Sequence, residues 1–465
     1  MAEEQSSVST SPELAANVKL SIKENACYGF GCTAMMFPFS LVLLYLNFFW
    51  TDVVKIPALI VGTFMMVNKL WDAINDPIVG AIADRSQFKG GRYRPWLIPS
   101  GLSVTVLGIL LFTTIPGVSP NFQYVFSFVA YFLYVLGFTA LEIPHVSMMS
   151  TITTSYEARG VMTAWRQTNA GVTITIISAA FLPLVAFFGK GNDGTGYFWA
   201  VVVLQLCSIP FYYICSKGVR ERVVPPAETN KVPFRESYKC LKGNMPALML
   251  MLAHLTWGAS AGFGTTGNIY FWTYIAGDTN LFTLNNTIKS GAGIFAGILM
   301  GFLVKTIGNK RNIAAVCWSL AALCYFALYF VPVTTPGGIN LFNIISVGQS
   351  LTGGVGFICL FSLVPDVTEY TVVKYKLKAS GFLFAVINFC YKFGMSITAG
   401  LFSWLLGAMQ YQPGVAQPQN ILTLIRLSVS VIPGVSTVIG VIAYCFYKLN
   451  KETHEEALRL IAKEG

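Results

Sequence analysis

The chain has 465 residues, 54% of them hydrophobic and only 11% charged, with a formal net charge of +10. A soluble domain carries about 25% charged residues, so this composition excludes an ordinary soluble fold. The basic excess lies in short connections between apolar runs, which argues against nucleic-acid binding and for the charge asymmetry of membrane loops.

Apolar stretches longer than about 18 residues recur along the whole chain. In hydrocarbon every backbone polar group must be paired internally, so these runs are expected to be helices. No alternating pattern suggests a barrel. The first 25 residues are polar, with Glu3, Glu4, Glu13, Lys19, Lys23 and Glu24, and show no apolar core of a cleavable leader. The expected spans then follow at 27–50, 55–84, 96–116, 121–150, 160–189 and 195–216. After a basic connection they resume at 244–276, 283–307, 312–332, 339–365, 380–408 and 421–448. The fold class is therefore all-α and polytopic, with about 12 membrane helices. The 10 cysteines are scattered through apolar segments such as those of Cys207, Cys317 and Cys324, with neither metal-type spacing nor the look of a disulfide framework.

Loop charges test this reading. Connections after the even-numbered spans are basic: Arg85, Lys89, Arg92 and Arg94, then Arg159, then the segment 217–243, then Lys305, Lys310 and Arg311, then Lys374, Lys376 and Lys378. The others are nearly bare. Positive residues stay on the cytoplasmic side, so both termini are expected there. The organisation that results is a cytoplasmic segment 1–26, a six-helix bundle 27–216, a cytoplasmic loop 217–243, a second bundle 244–448 and a cytoplasmic tail 449–465. A weak repeat supports the division. Gly90-Gly91-Arg92-Tyr93-Arg94 follows span 2, and Gly308-Asn309-Lys310-Arg311 follows span 8. Two similar halves around a central site are the usual build of a secondary transporter.

Ionisable groups inside a span are costly and point to function. Asp72 and Asp76 in span 2 are four residues apart and share a helix face. Two such carboxylates repel when both are ionised, so the pair can hold Na⁺ or Li⁺, carry a proton, or pair with a buried Arg as structural glue. Asn75, or a hydroxyl from another helix, can complete a cation shell, and Pro77 loosens the helix beside them. In span 4, Thr139 and Glu142 are three apart; Thr139 offers a cation-ligating hydroxyl and Glu142 an acceptor for substrate hydroxyls. His145 follows, with packing as its simpler role. Arg166 in span 5 and Lys392 in span 11 are read as the basic groups deepest in apolar sequence, and each needs a carboxylate or an anionic ligand. Trp165 and Gln167 flank Arg166, while Asn388 and Tyr391 accompany Lys392. Ring faces with a few placed polar groups suit a sugar pocket. Asp366 and Glu369 at the end of span 10 are placed to meet basic residues of the other half, Arg92 and Arg94, as an inner gate.

The run Trp71-Asp72-Ala73-Ile74-Asn75-Asp76-Pro77-Ile78-Val79-Gly80, followed by Gly91-Arg92-Tyr93-Arg94-Pro95-Trp96, resembles the signature of the glycoside–pentoside–hexuronide:cation symporters, the melibiose permease-like family of the major facilitator superfamily. Tyr28-Gly29-Phe30-Gly31, Glu142-Ile143-Pro144, Tyr274 to Asp278 and Asp366 to Tyr370 extend the resemblance over nearly the whole chain. It implies a major facilitator fold and cation-coupled sugar symport by alternating access. It also implies a cation site at Asp72, Asp76 and Thr139, with Asn75 adjacent, and a sugar site including Glu142, Arg166 and Lys392.

This chain also departs from the family pattern. A Lys–Asp pair of span 1 is replaced by Met35 and Met36, an aromatic of span 4 by Val146, and an acid of span 10 by Val372. The expected sugar pocket, with Met36 in its wall, is thus more positive and more apolar, which points to an anionic sugar such as a uronide or a sulfonated sugar. A lipid or lysolipid symporter of the same superfamily is the alternative that Met35 and Met36 suggest. A membrane-embedded enzyme is disfavoured because the 3 histidines form no metal pair, and a channel because a single acidic pair in a two-halved chain makes no symmetric filter. The expected partners are a sugar or glycoside, the coupling cation Na⁺, Li⁺ or H⁺, and the lipid bilayer, with no other cofactor and with a monomer sufficient. A bacterial inner membrane is the expected location.

Overall fold

A computed structural model describes residues 20–86, 88, 90–153, 155–222, 240–307, 309–375, 380–447 and 449. Most of the expected N-terminal segment and of the central loop, the tail beyond 449, and Lys89, Lys376 and Lys378 lie outside the described residues, as does the side chain of Val372.

Helices account for the regular structure. In chain order they are α1 (Ile22–Leu41), α2 (Ala58–Arg85), α3 (Arg94–Leu111), α4 (Pro120–Ile152), α5 (Tyr156–Gly189), α6 (Asp193–Gly218) and α7 (Met245–Tyr274). There follow α8 (Asn280–Ile307), α9 (Lys310–Phe330), α10 (Pro336–Ser362), α11 (Val364–Tyr375), α12 (Ser380–Ala408), α13 (Gln419–Val429) and α14 (Val431–Phe446). Among the described residues no strand forms, and one isolated bridge joins Phe88 to Gly91. Among the described residues eleven stretches are long and apolar enough to cross a membrane, counting α10 with the start of α11, and α13 with α14, as one each. Helix α2 is not among them, because Asn68, Lys69, Asp72, Asn75 and Asp76 interrupt its apolar run. Its 28 residues are still long enough to span, at about 1.5 Å per residue.

Local chemistry sets the helix starts. Ser21, Ser119, Ser155, Asn192, Asn244 and Thr335 each turn a side-chain oxygen to a backbone N–H two or three residues into the helix. Pro120, Pro246 and Pro336 stand in the first turn, where a missing N–H costs nothing. Helix α1 continues through two π-helical turns, Val42–Leu46 and Phe49–Val53. Pro38, just upstream, has no N–H to keep the regular ladder.

The chain divides into two compact units, Met1–Ile56 with Leu70–Thr229, and Pro57–Lys69 with Asn230–Gly465. Helix α2 is shared, its first turns grouping with the second unit. Backbone-to-backbone packing explains this: a Cβ on Gly62 would fall 2.7 Å from the Gly400 carbonyl of α12, and one on Gly407 would fall 2.3 Å from the Leu59 nitrogen.

In the first unit α1 packs on α5 and α6, and α3 on α4 and α6. Its core includes Tyr45, Phe49, Phe112, Phe181 and Tyr197, whose rings meet at 4.2–6.5 Å. In the second unit α7 lies against α12 along Gly258, Gly262 and Gly394; a Cβ on any of them would come within 2.1–2.2 Å of a carbonyl on the facing helix. Small residues are the means by which membrane helices approach this closely. The core beside them centres on Trp318, stacked on Trp257 at 5.1 Å.

The sequence repeat has a structural counterpart. In the first unit Arg94, at the start of α3, donates from Nε to the Ser216 carbonyl in the last turn of α6 at 2.9 Å. In the second, Arg311, at the start of α9, donates from Nε to the Tyr444 carbonyl in the last turn of α14 at 2.8 Å. The same arginine position thus caps the carbonyl end of the last helix in each unit, where a cation also meets the negative end of the helix dipole.

Candidate functional site

Helix α2 places Asp72 and Asp76 one turn apart, and α4 places Thr139 opposite both. The Thr139 hydroxyl lies 3.4 Å from Asp72 Oδ1 and 3.1 Å from Asp76 Oδ1. Thr139 is buried while the two carboxylates are half-buried. Trp71 stacks on Phe132 at 4.5 Å, which pins α2 to α4 at this level. Thr139 has one proton, so it donates to only one carboxylate at a time and the other contact sets two acceptors together. A proton on one carboxylate, or a cation among the oxygens, removes that conflict. Asn75 is buried in the same turn, its Nδ2 without a hydrogen-bond partner. Among the described residues no group of three or more His, Cys, Asp or Glu could hold a metal ion. Two carboxylates and a hydroxyl are hard oxygen donors that suit an alkali cation or a proton better than a transition metal.

One turn along α4, Glu142 is half-buried. Arg166 on α5 lies within electrostatic reach of Glu142, Tyr28 and Cys32. The Arg166 Nε is buried without a hydrogen-bond partner. His145 is fully buried between α1 and α4. Its ring stacks on Tyr28 at 4.7 Å, and its Nε2 lies 3.2 Å from the Tyr28 carbonyl. It thereby braces the wall behind Glu142. Met36 is half-buried on α1, whereas Met35 is buried.

The remaining expected substrate residues lie in the second unit. Asn388, Tyr391 and Lys392 share α12 and are half-buried. The Tyr391 ring lies 5.9 Å from each of Phe357 and Phe361. Asp366 pairs with Lys310 at 3.2 Å. The backbone N–H groups of Arg92, Tyr93 and Arg94 donate to the Glu221 carboxylate at 2.8–3.0 Å. Outside the membrane, burial and the Asp84 carboxylate that it donates to push the Tyr93 phenol up to about 12. Glu369 is half-buried on α11.

Sequence reading overlooked several polar groups. Cys32 and Asn169 look like packing residues until Arg166 and Thr33 are found against them, the latter donating to Asn169 Oδ1 at 3.0 Å. Lys289 carries a readable signal, a lysine inside the apolar run 283–307.

Comparison with known proteins agrees with this architecture. The family model for MFS/sugar transport proteins matches residues 27–451. The isoprimeverose transporter of Lactiplantibacillus pentosus is 28% identical over 436 residues, covering 92% of this chain and 89% of its own. The inner membrane symporter YicJ of Escherichia coli (strain K12) is 25% identical over 453 residues, covering 96% and 95%. Among solved structures, the nucleoside transporter NupG superposes with a TM-score of 0.60 at 13% identity, covering 92% of this chain and all of its own, which is a likeness of fold.

Proposed function

The chain belongs to the MFS/sugar transport protein family, and from that premise we propose that it couples the movement of a sugar or glycoside to that of Na⁺, Li⁺ or H⁺ by alternating access. It is a multi-pass membrane transporter and not an enzyme. The observation that carries the coupling is the convergence of Asp72 and Asp76 on the single hydroxyl of Thr139. A site of this kind, two carboxylates converging on one hydroxyl inside the membrane, has a chemical reason to take up a cation. Glu142 and Arg166 in the first unit, braced by His145, and Asn388, Tyr391 and Lys392 in the second form our proposed substrate set, with Met36 as apolar wall. Met35 and Met36 add no acid to this set, while Arg166 and Lys392 add positive charge to it, so an anionic sugar fits the set better than a neutral one. A bacterial inner membrane, cytoplasmic termini and a functional monomer complete the reading.

The test is uptake into proteoliposomes under imposed Na⁺, Li⁺ or H⁺ gradients. Asp72→Cys and Asp76→Cys should each abolish cation-driven accumulation. Unchanged accumulation in both would refute the cation assignment.

A further inference from the structure

Charge accounting over the second unit leaves one group unexplained. Helices α7, α8, α9, α10, α12, α13 and α14 contain no Asp or Glu. Among the described side chains at the membrane surfaces, Lys310 meets Asp366, Arg311 the carbonyls of Tyr444 and Cys445, and Arg426 the Val331 carbonyl; the Lys305 side chain lies outside the described residues. Two lysines stand in the interior, Lys392 of the proposed substrate set, which is engaged, and Lys289 of α8.

Lys289 is nine residues past Asn280, about 14 Å along the axis of a helix whose apolar span runs Asn280–Val304. It does not turn to lipid. Within the apolar span Asn280–Val304 the exposed large apolar residues of α8 are Leu284, Phe295, Ile298 and Phe302, 48–73% exposed, and they form one stripe; Ile307, the last residue of the helix, is exposed beyond that span. At 100° per residue Lys289 lies roughly 140° around the helix from the centre of that stripe. Its backbone faces α10, where Ser350 Oγ donates to the Lys289 carbonyl at 2.6 Å. One turn earlier Asn285 donates to Asn343 Oδ1 of α10 at 2.9 Å. Ser346 stands on α10 between Asn343 and Ser350, 1% exposed, with its hydroxyl unpartnered. Lys289 itself is half-buried, and among the described residues its ammonium makes no hydrogen bond or ion pair.

A cation held inside a membrane protein needs an anion. The acids of this unit's membrane stretches, Asp366 and Glu369, stand at the start of α11, where Asp366 pairs with Lys310, and neither α8 nor the facing α10 supplies one. We propose that Lys289 is a substrate-binding residue that takes a monoanionic oxyacid group, a carboxylate or sulfonate, on the transported sugar. The assignment rests on the sugar-transport reading above and names the group that reads the charge. The Asn285–Asn343 bond and the Ser350 hydroxyl fix the lysine's helix, so the ammonium is presented from a rigid base.

The test is calorimetric binding to the purified full chain at fixed NaCl, with probes in neutral and acidic pairs. The pairs are methyl glucoside with methyl glucuronide, methyl galactoside with methyl galacturonide, and glucose with 6-sulfo-quinovose. The acidic member of at least one pair should bind more tightly. Lys289→Gln should weaken that acidic probe by about tenfold or more and leave neutral probes within about twofold, while Lys289→Arg should retain the preference. Lys289→Met, which keeps the stem and removes the charge, gives the same readout if glutamine disturbs the fold. Acidic binding that survives both neutralising variants overturns the assignment, as does equal weakening of neutral and acidic probes. Binding of neutral probes alone overturns it too but leaves sugar transport standing. If no probe of either kind binds, the sugar-transport reading fails and the assignment falls with it.

Discussion

Thr139 is the residue on which the proposed cation site turns. Its hydroxyl sits between two carboxylates and has a single proton to give. Thr139→Val keeps the shape and removes the oxygen. We expect it to raise the cation concentration for half-maximal uptake by about 5- to 150-fold, the range for losing one bond of about 1–3 kcal/mol at a buried group. Thr139→Ser should keep the wild-type value to within a few-fold. The measurement is uptake against NaCl or LiCl concentration, and an unaltered valine variant would remove Thr139 from the site. The same scale explains why the pairing was half legible. The four-residue spacing of Asp72 and Asp76 is visible in sequence because helix geometry fixes it locally. Their shared contact is not, because Thr139 arrives from a helix 63 residues further along.

At the scale of elements, glycine spacing decides how helices meet. Gly258 and Gly262 present a bare stripe of α7 to α12, and α12 carries Asn388, Tyr391 and Lys392. Gly258→Ala places a Cβ 2.2 Å from the Tyr391 carbonyl, so α12 must move. We expect a loss of about 1–3 kcal/mol from overpacking, seen as a lower melting temperature of the purified protein. It should also weaken sugar binding, because the displaced carbonyl belongs to a proposed substrate residue. Gly264→Ala on the same helix meets only Pro433 Cγ at 3.8 Å and should be close to neutral. Equal melting temperatures for the two variants would show that α7 and α12 do not need their close approach. The glycines were plain in the sequence as letters, but nothing local says which of the 42 touch a facing backbone.

For the molecule as a whole, the repeated arginine is the most informative feature. Arg94 and Arg311 hold the carbonyl ends of α6 and α14 in equivalent ways. Glu221 adds to this in the first unit by taking three backbone N–H groups at the start of α3. Arg94→Ala and Arg311→Ala should each cost about 1.5–3 kcal/mol, the usual range for a hydrogen bond from a charged donor. Amide hydrogen exchange should show the loss locally, at the end of α6 in the first variant and of α14 in the second. Protection lost evenly across both units in either variant would argue against two separately braced bundles.

The sequence by itself determined the environment, the helical class, the alternation of loop charge and the acidic pair of α2. Each is a local or compositional property: lipid admits only internally bonded backbone, and a helix repeats every 3.6 residues. The short Gly–basic repeat was legible as well, but its meaning was not, since Arg94 and Arg311 act on helix ends more than 120 residues away. Tertiary structure alone decided that Thr139 serves both carboxylates, that His145 is sealed behind Tyr28, and that α2 is shared between two compact units. It also decided that Lys289 turns away from the exposed apolar stripe of its helix. These outcomes depend on which faces meet across the packed helices, and no residue's neighbours in the chain specify that.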